Sequence, residues 1–188
     1  MAFRNEFFKF FTGRDGDVSG SPEADLHRSM VAAFGTNRRG GVNTAAAAKS
    51  LGVSQRAVNY WLKGTYKPNQ EHLKKITTKS RQAATTKRGR QRLTSEIRVQ
   101  IAKAKTTPHL YVAGEQGPRN GDVSYLRHRI TNLWQNLTPD MVEDFIETWE
   151  KGGDAAATEW LNTAYSAGYL EDWGFASIES ISLQDPRL

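Results

Sequence analysis

The stretch "TAAAAKSLGVSQRAVNYWLKG", Thr44 to Gly64, decides the reading of the N-terminal half of this chain. Ala48 stands four residues before Gly52, and Val58 stands six after it, with Leu51, Val53 and Trp61 as the larger apolar neighbours. A helix, a tight turn and a second helix fit this spacing. The small Ala48 lets the two helices cross closely, and Gly52 supplies a turn residue with positive φ at no steric cost. Ser54 is placed to cap the second helix. That cap leaves Gln55 and Arg56 in the first turn, the end a recognition helix inserts into the major groove.

Gln55, Arg56, Asn59, Tyr60 and Lys63 lie outside the core stripe of the second helix. Gln and Asn can pair bidentately with adenine, and Arg with guanine, so Gln55, Arg56 and Asn59 are expected to read bases. Tyr60 and Lys63 are expected on the DNA backbone, and Lys49, Arg38 and Arg39 on flanking phosphates. The competing reading is a buried helical hairpin with a solvated polar face. The turn, the cap, the aromatic clamp and the basic run that follows agree with each other and favour DNA.

The 188 residues, 38% hydrophobic and 10% aromatic, suffice for one ordinary domain or two small ones. Cysteine is absent, and His27, His72, His109 and His128 show no H-x-x-x-H spacing, so disulfides, thiolate chemistry and a zinc site are not expected. This composition fits a reducing cytoplasm. A net charge of +6 hides a strong asymmetry. Leu73 to Lys105 holds eleven Lys or Arg against one acid, Glu96; Thr138 to Leu188 holds eleven acids against Lys151 and Arg187. One region should attract polyanions and the other repel them. Lys67, Lys87, Arg88, Arg90 and Arg92 are accordingly expected along phosphate, with an affinity that falls steeply with salt.

The start, "MAFRNEFFKFFTGRDG", carries five phenylalanines interrupted by Arg4, Glu6 and Lys9, which excludes a signal-peptide core and suggests a short amphipathic helix docked on the body or on a partner. Nothing approaches the length of a membrane span. "SPEADLHRSMVAAF" reads as a helix capped by Ser21 with Pro22 at its first position, and Leu26, Met30 and Phe34 as its apolar stripe. The basic segment shows two weak helical patterns, Gln70 to Ile76 and one beginning at a Thr94 cap, with "TTKRGR" as a loop; disorder across Thr77 to Arg92 without DNA is left open.

Beyond Pro108, "HLYVAG" and "DVSYLRHRITNLW" read as strands joined by the turn-rich "GEQGPRNG". "TPDMVEDFIETWEKGG" reads as a helix capped by Thr138 and ended by Gly152 and Gly153, "DAAATEWLNTAYSAGYL" as a second, and "FASIESISL" as a last strand. The expected class is α+β, with an N-terminal all-α helix-turn-helix domain, a basic helical linker and a small C-terminal α+β domain. The expected divisions are a Phe-rich segment and link over 1–20, the helix-turn-helix domain over 21–76, the basic segment over 77–107 and an acidic priming or interaction domain over 108–188.

Enzymatic signatures are weak. Asp140, Glu143, Asp144 and Glu147 share one helix and could suggest a two-metal site, but a polar face opposite Phe145 and Trp149 accounts for them. A phosphate loop and a nucleophilic triad are both missing. An autonomous active site, a bound cofactor and a metal are not expected.

"AAAAKSLGVSQRAVNYWLKG" followed by "KP", the basic region ending "IRVQIAKAKTT" and the acidic part ending "SIESISL" together resemble the telomere terminal proteins of actinobacterial linear chromosomes and plasmids. The likeness runs from about Val42 to Leu183. It implies a protein that caps linear DNA ends and primes end patching, a side-chain hydroxyl accepting the first deoxynucleotide from a partner polymerase that supplies Mg. It further implies a telomeric end as ligand, duplex or folded single strand, and a telomere-binding protein as a companion. The family's priming residue is a threonine after the first strand. The corresponding "GPRNGDVSYL" has none, so Ser124 and Tyr125 are the nearest candidates, with Thr106 and Thr107 just before the strand. The alternative is a helix-turn-helix repressor, or a nucleoid or plasmid-maintenance protein, that dimerises through its C-terminal domain. Either reading places the chain in the cytoplasm on the nucleoid.

Overall fold

The computed structural model describes residues 3–103, 109–119, 125–133, 138–168 and 171–183. Six helices come first: α1 (Arg4–Thr12), α2 (Leu26–Phe34), α3 (Thr44–Leu51), α4 (Gln55–Leu62), α5 (Gln70–Thr85) and α6 (Lys87–Lys103). Then follow β1 (Tyr111–Pro118), β2 (Arg127–Asn132), α7 (Pro139–Gly168), β3 (Trp173–Phe175) and β4 (Ser180–Ser182). Helices first and a small antiparallel sheet last make the chain α+β, as the sequence implies. The central strand is β1. It pairs with β2 along one edge, from Tyr111 opposite Asn132 to Gln116 opposite Arg127, and its other edge is shared by β4 at Tyr111–Ala113 and β3 at Gln116–Pro118.

Two apolar cores sit side by side. The smaller gathers Met30, Val31, Val42, Ala47, Ala48, Leu51, Val58 and Ile76 from α2 to α5. The larger lies between α7, the sheet and α6, and the Phe-rich α1 is part of it: Phe7, Phe8 and Phe11 are fully buried. Phe11 stacks on Trp149 at 4.2 Å between ring centres, and Phe7 and Phe11 both meet Phe145. The amphipathic N-terminal helix therefore docks on its own chain. Helix α5 belongs to both cores, giving Ile76 to one and Ala83 and Ala84 to the other.

Several elements differ from the sequence reading. Helix α2 starts at Leu26, not after Ser21, because Asp25 caps it by accepting the Arg28 N–H at 2.8 Å. Ser21 instead closes a local turn, accepting from Glu23 and Ala24. The stripe Leu26, Met30, Phe34 still faces the smaller core.

The basic segment is two long helices broken only at Thr86. The Thr86 hydroxyl donates to the Gln82 carbonyl and accepts the Gly89 N–H, so "TTKRGR" forms a helix junction where a loop was expected. Gly89 is required there by close approach: a Cβ would lie 2.6 Å from the Ala83 carbonyl oxygen and nearer still to that of Gln82. Residues 77–85 and 87–92 are helical, and the buried stripe of α5 is built from Thr77, Ser80, Ala83 and Ala84 behind Ile76. Thr94 lies inside α6, fully buried, and caps nothing.

In the C-terminal half, β1 continues through the supposed turn "GEQGP". Gln116 makes this possible. Fully buried, it donates from Nε2 to the Val112 and Arg129 carbonyls and accepts at Oε1 from Thr131 and Trp173, so its amide is satisfied within the sheet. "FASIESISL" is not one strand: its first residue, Phe175, ends the additional strand β3, and Ser180–Ser182 form β4. Helix α7 breaks at Gly153, whose φ of 70° and ψ of −157° are non-helical, and so it behaves as the two expected helices. Among the described residues, no helix is long and apolar enough to cross a membrane.

Candidate nucleic-acid interface

The turn between α3 and α4 is built as its residues dictate. Asn43 caps α3 by accepting the Ala46 N–H at 3.1 Å. Gly52 ends that helix with φ 71° and ψ 32°, and its N–H and that of Val53 both return to the Ala48 carbonyl. A Cβ at Gly52 would meet nothing within 4 Å, so the demand for glycine is conformational and not spatial. Ser54 then caps α4, accepting the Ala57 N–H at 3.2 Å. Val58 is fully buried, Val53, Trp61 and Leu62 pack partly beside it, and the Trp61 ring lies 5.3 Å from His72 of α5.

With those residues inward, the opposite face of α4 points to solvent. Gln55, Arg56, Asn59 and Lys63 are exposed and Tyr60 is half-buried. The Arg56 Nε donates to the Tyr60 hydroxyl at 2.7 Å and its guanidinium lies 5.4 Å from the Tyr60 ring centre. This pairing limits the rotamers of the longest side chain on the face before any ligand arrives. A residue the sequence reading missed joins it: Tyr66 is 63% exposed and sits edge-on to Tyr60 at 5.5 Å. An aromatic residue in the polar turn "GTYKPN" was the available signal.

The flanking cations fall into two groups. Arg38 and Arg39 are exposed on the loop closed by the Thr36–Val42 bridge, Lys49 is exposed on the last turn of α3, and Lys67 is exposed beyond α4. Lys87, Arg88 and Arg92 are exposed on α6. Arg90 is a correction. It is only 6% exposed, and its guanidinium donates to the carbonyls of Ala84, Glu150 and Lys151, so it closes the ends of α5 and of the first half of α7 instead of facing phosphate. Burial pushes its pKa down from the ordinary value, while Asp154 and Glu150 act in the opposite direction.

The basic run is also less free than its composition suggests. Arg98 forms a bidentate pair with Glu143 and reaches Glu150 at 2.6 Å, and Lys75 pairs with Glu71. Hydrogen bonding to Glu143 is the main cause that raises the Arg98 pKa, with burial opposing and Glu150 adding. The carboxylate helix is occupied in the same way: Glu147 holds Lys151, and Asp144 accepts from Trp160.

Of the hydroxyl candidates, Tyr125 is 52% exposed just before β2, and its carbonyl accepts from Arg129. Ser124, Thr106 and Thr107 lie outside the described residues.

Residues 40–78, spanning α3, α4 and the first half of α5, match the helix-turn-helix family HTH_3. Comparison with curated proteins and with solved structures gives no match. A helix-turn-helix DNA-binding unit is thus present over that segment, and DNA is the partner it implies.

The two arginines of "RGR" should separate cleanly in a stability measurement. Arg90→Ala leaves buried carbonyls without donors and is expected to cost about 1–3 kcal/mol in urea unfolding. Arg88→Ala, on the exposed face, should stay within about 0.5 kcal/mol of the parent. Equal effects would contradict the inward placement of Arg90.

Proposed function

We propose that the chain binds a specific duplex DNA site through α4, as a transcriptional repressor or a nucleoid or plasmid-maintenance protein does, with the C-terminal α+β part pairing two copies. The observation that carries this reading is the exposed face of Gln55, Arg56 and Asn59 on a Ser54-capped helix within a matched helix-turn-helix segment. In that role Gln55, Arg56 and Asn59 contact base edges, and Tyr60 and Lys63 contact the backbone. Arg38, Arg39, Lys49, Lys67, Lys87, Arg88 and Arg92 supply the sequence-independent part of the affinity. A dimer would favour a site with two-fold symmetry and half-sites about one helical turn apart.

Quantitative binding to a duplex selected from a random pool tests this. Gln55→Ala and Asn59→Ala should each reduce the preference for the selected site by about 1–3 kcal/mol, whereas Lys63→Ala should weaken all duplexes alike. Unchanged site preference in both variants would remove α4 as the reader.

A second reading, the terminal protein of linear replicons, is favoured by one observation: a half-exposed phenol, Tyr125, stands at the corner that precedes β2. Priming requires a hydroxyl oxygen able to attack an α-phosphate in line, with metals and the remaining active site provided by a polymerase. Incubation with a host polymerase extract, a telomeric template and labelled deoxynucleotide should then leave label on the denatured protein. Tyr125→Phe should abolish it if the phenol is the acceptor. A protein that takes up no label where an authentic terminal protein does is not a primer.

A further inference from the structure

Two adjoining clefts, of about 520 and 450 Å³, lie where α5 and α6 meet α2 and α3. They share Ala33, Lys79 and Arg92 as common wall. Arg88 lines the first cleft and Arg14, from the link after α1, lines the second, so four cations from three separate segments converge on one continuous depression. No carboxylate lines either cleft among the described residues. Three other clefts have acids beside their cations: Asp154 and Glu159 with Arg4 and Arg90, Glu159 and Asp172 with Arg119, and Asp15 with Arg28 and with Arg14, which lines that cleft too. Lys79, Arg88 and Arg92 are exposed and have no carboxylate partner among the described residues.

The lining of the depression includes the small residues Ala33, Gly35, Ala46 and Gly89, which leave room between the cations. Its neutral polar lining includes the hydroxyls of Ser50 and Thr86. A surface with this make-up suits an extended polyanion whose charge recurs at intervals, not a compact apolar ligand. Its second cleft is walled by α3, the first helix of the helix-turn-helix, and in that motif the first helix crosses the DNA backbone.

We infer that this depression is a phosphodiester groove that takes the backbone flanking the site read by α4, with Lys79, Arg88 and Arg92 as its cations. The inference rests on the DNA-binding reading and adds to its phosphate contacts one residue of the basic run, Lys79, that the fold brings beside Arg88 and Arg92. The groove carries no base discrimination; it extends the footprint and raises the salt dependence of binding.

The test uses the full chain and the combined variant Lys79→Gln, Arg88→Gln, Arg92→Gln, with Lys79→Arg as the conservative control. Binding to the selected duplex is followed as salt is raised. Every phosphate that the groove no longer neutralises should reduce the slope of log affinity against log salt by about 0.9, so the combined variant should fall by about 2 to 3 in slope while keeping its preference for the selected site over random duplex. Lys79→Arg should keep the parental slope. Unchanged slope in the combined variant, with an unchanged melting temperature, overturns the groove while leaving α4 as the reader. Site preference insensitive to Gln55→Ala and Asn59→Ala overturns the base-reading role and leaves the slope measurement to judge the groove.

Trimming the duplex to the base-read site alone separates the sources of phosphate. If trimming removes the same slope from the parent that the substitutions remove, the flank is the occupant. If the trimmed complex still binds added single-stranded DNA, and does so only with the groove cations intact, a second strand occupies it and the flank assignment is wrong.

Discussion

The carboxylate of Glu150 fixes how the two halves of this molecule meet. It is 7% exposed, and a buried carboxylate is tolerable only when charge and hydrogen bonds surround it. Thr94 and Arg98 of α6 meet its side chain, and Arg90 of the same helix donates to its carbonyl oxygen. Residues 90, 94 and 98 recur every four positions, so meeting these demands commits one face of α6 to α7. The rotation of the helix follows from that commitment. Lys87, Arg88 and Arg92 are left on the outside.

This arrangement gives the charge asymmetry of the chain a double role. Part of it is internal cement, since Glu143 and Glu150 of α7 both pair with Arg98 of α6 at the junction. The remainder includes exposed bases of the helical half, among them Lys79, Lys87, Arg88 and Arg92. The acidic C-terminal elements are thereby joined to the helical half through α6 and α7. Helix α1 reinforces the junction from the other end of the chain, through the Phe11 stack on Trp149 and the contact of Arg4 with Asp154.

Much of the recognition element was legible in the sequence because each of its signals is local. The Gly52 turn, the Ser54 cap and the Val58 anchor each act within a few residues, and they left Gln55, Arg56 and Asn59 with only one direction to face. The basic helices were legible only in part. The stripe that buries α5 is made of Thr77, Ser80, Ala83 and Ala84, whose hydropathy is too low to stand out, and the Gly89 approach depends on α5 being already in place. Arg88, Arg90 and Arg92 look alike as residue types, and what separates them is register. Arg90 stands three, four and seven residues before Leu93, Thr94 and Ile97, the buried line of α6, and that spacing was the signal for its burial. Gln116 was hidden for a related reason, since a polar residue between glycines reads as a turn until the strands that satisfy its amide are known.

The central claim is that α4 presents its Gln55, Arg56 and Asn59 face to DNA while the C-terminal domain stays clear of it. Backbone amide shifts recorded as a selected duplex is added to the full chain test this directly. The largest changes should map to Ser54–Lys63 and to the exposed bases of α3 and α6, with α7 and β1 to β4 nearly unmoved. Shifts concentrated on the sheet and α7, with α4 unchanged, would contradict it.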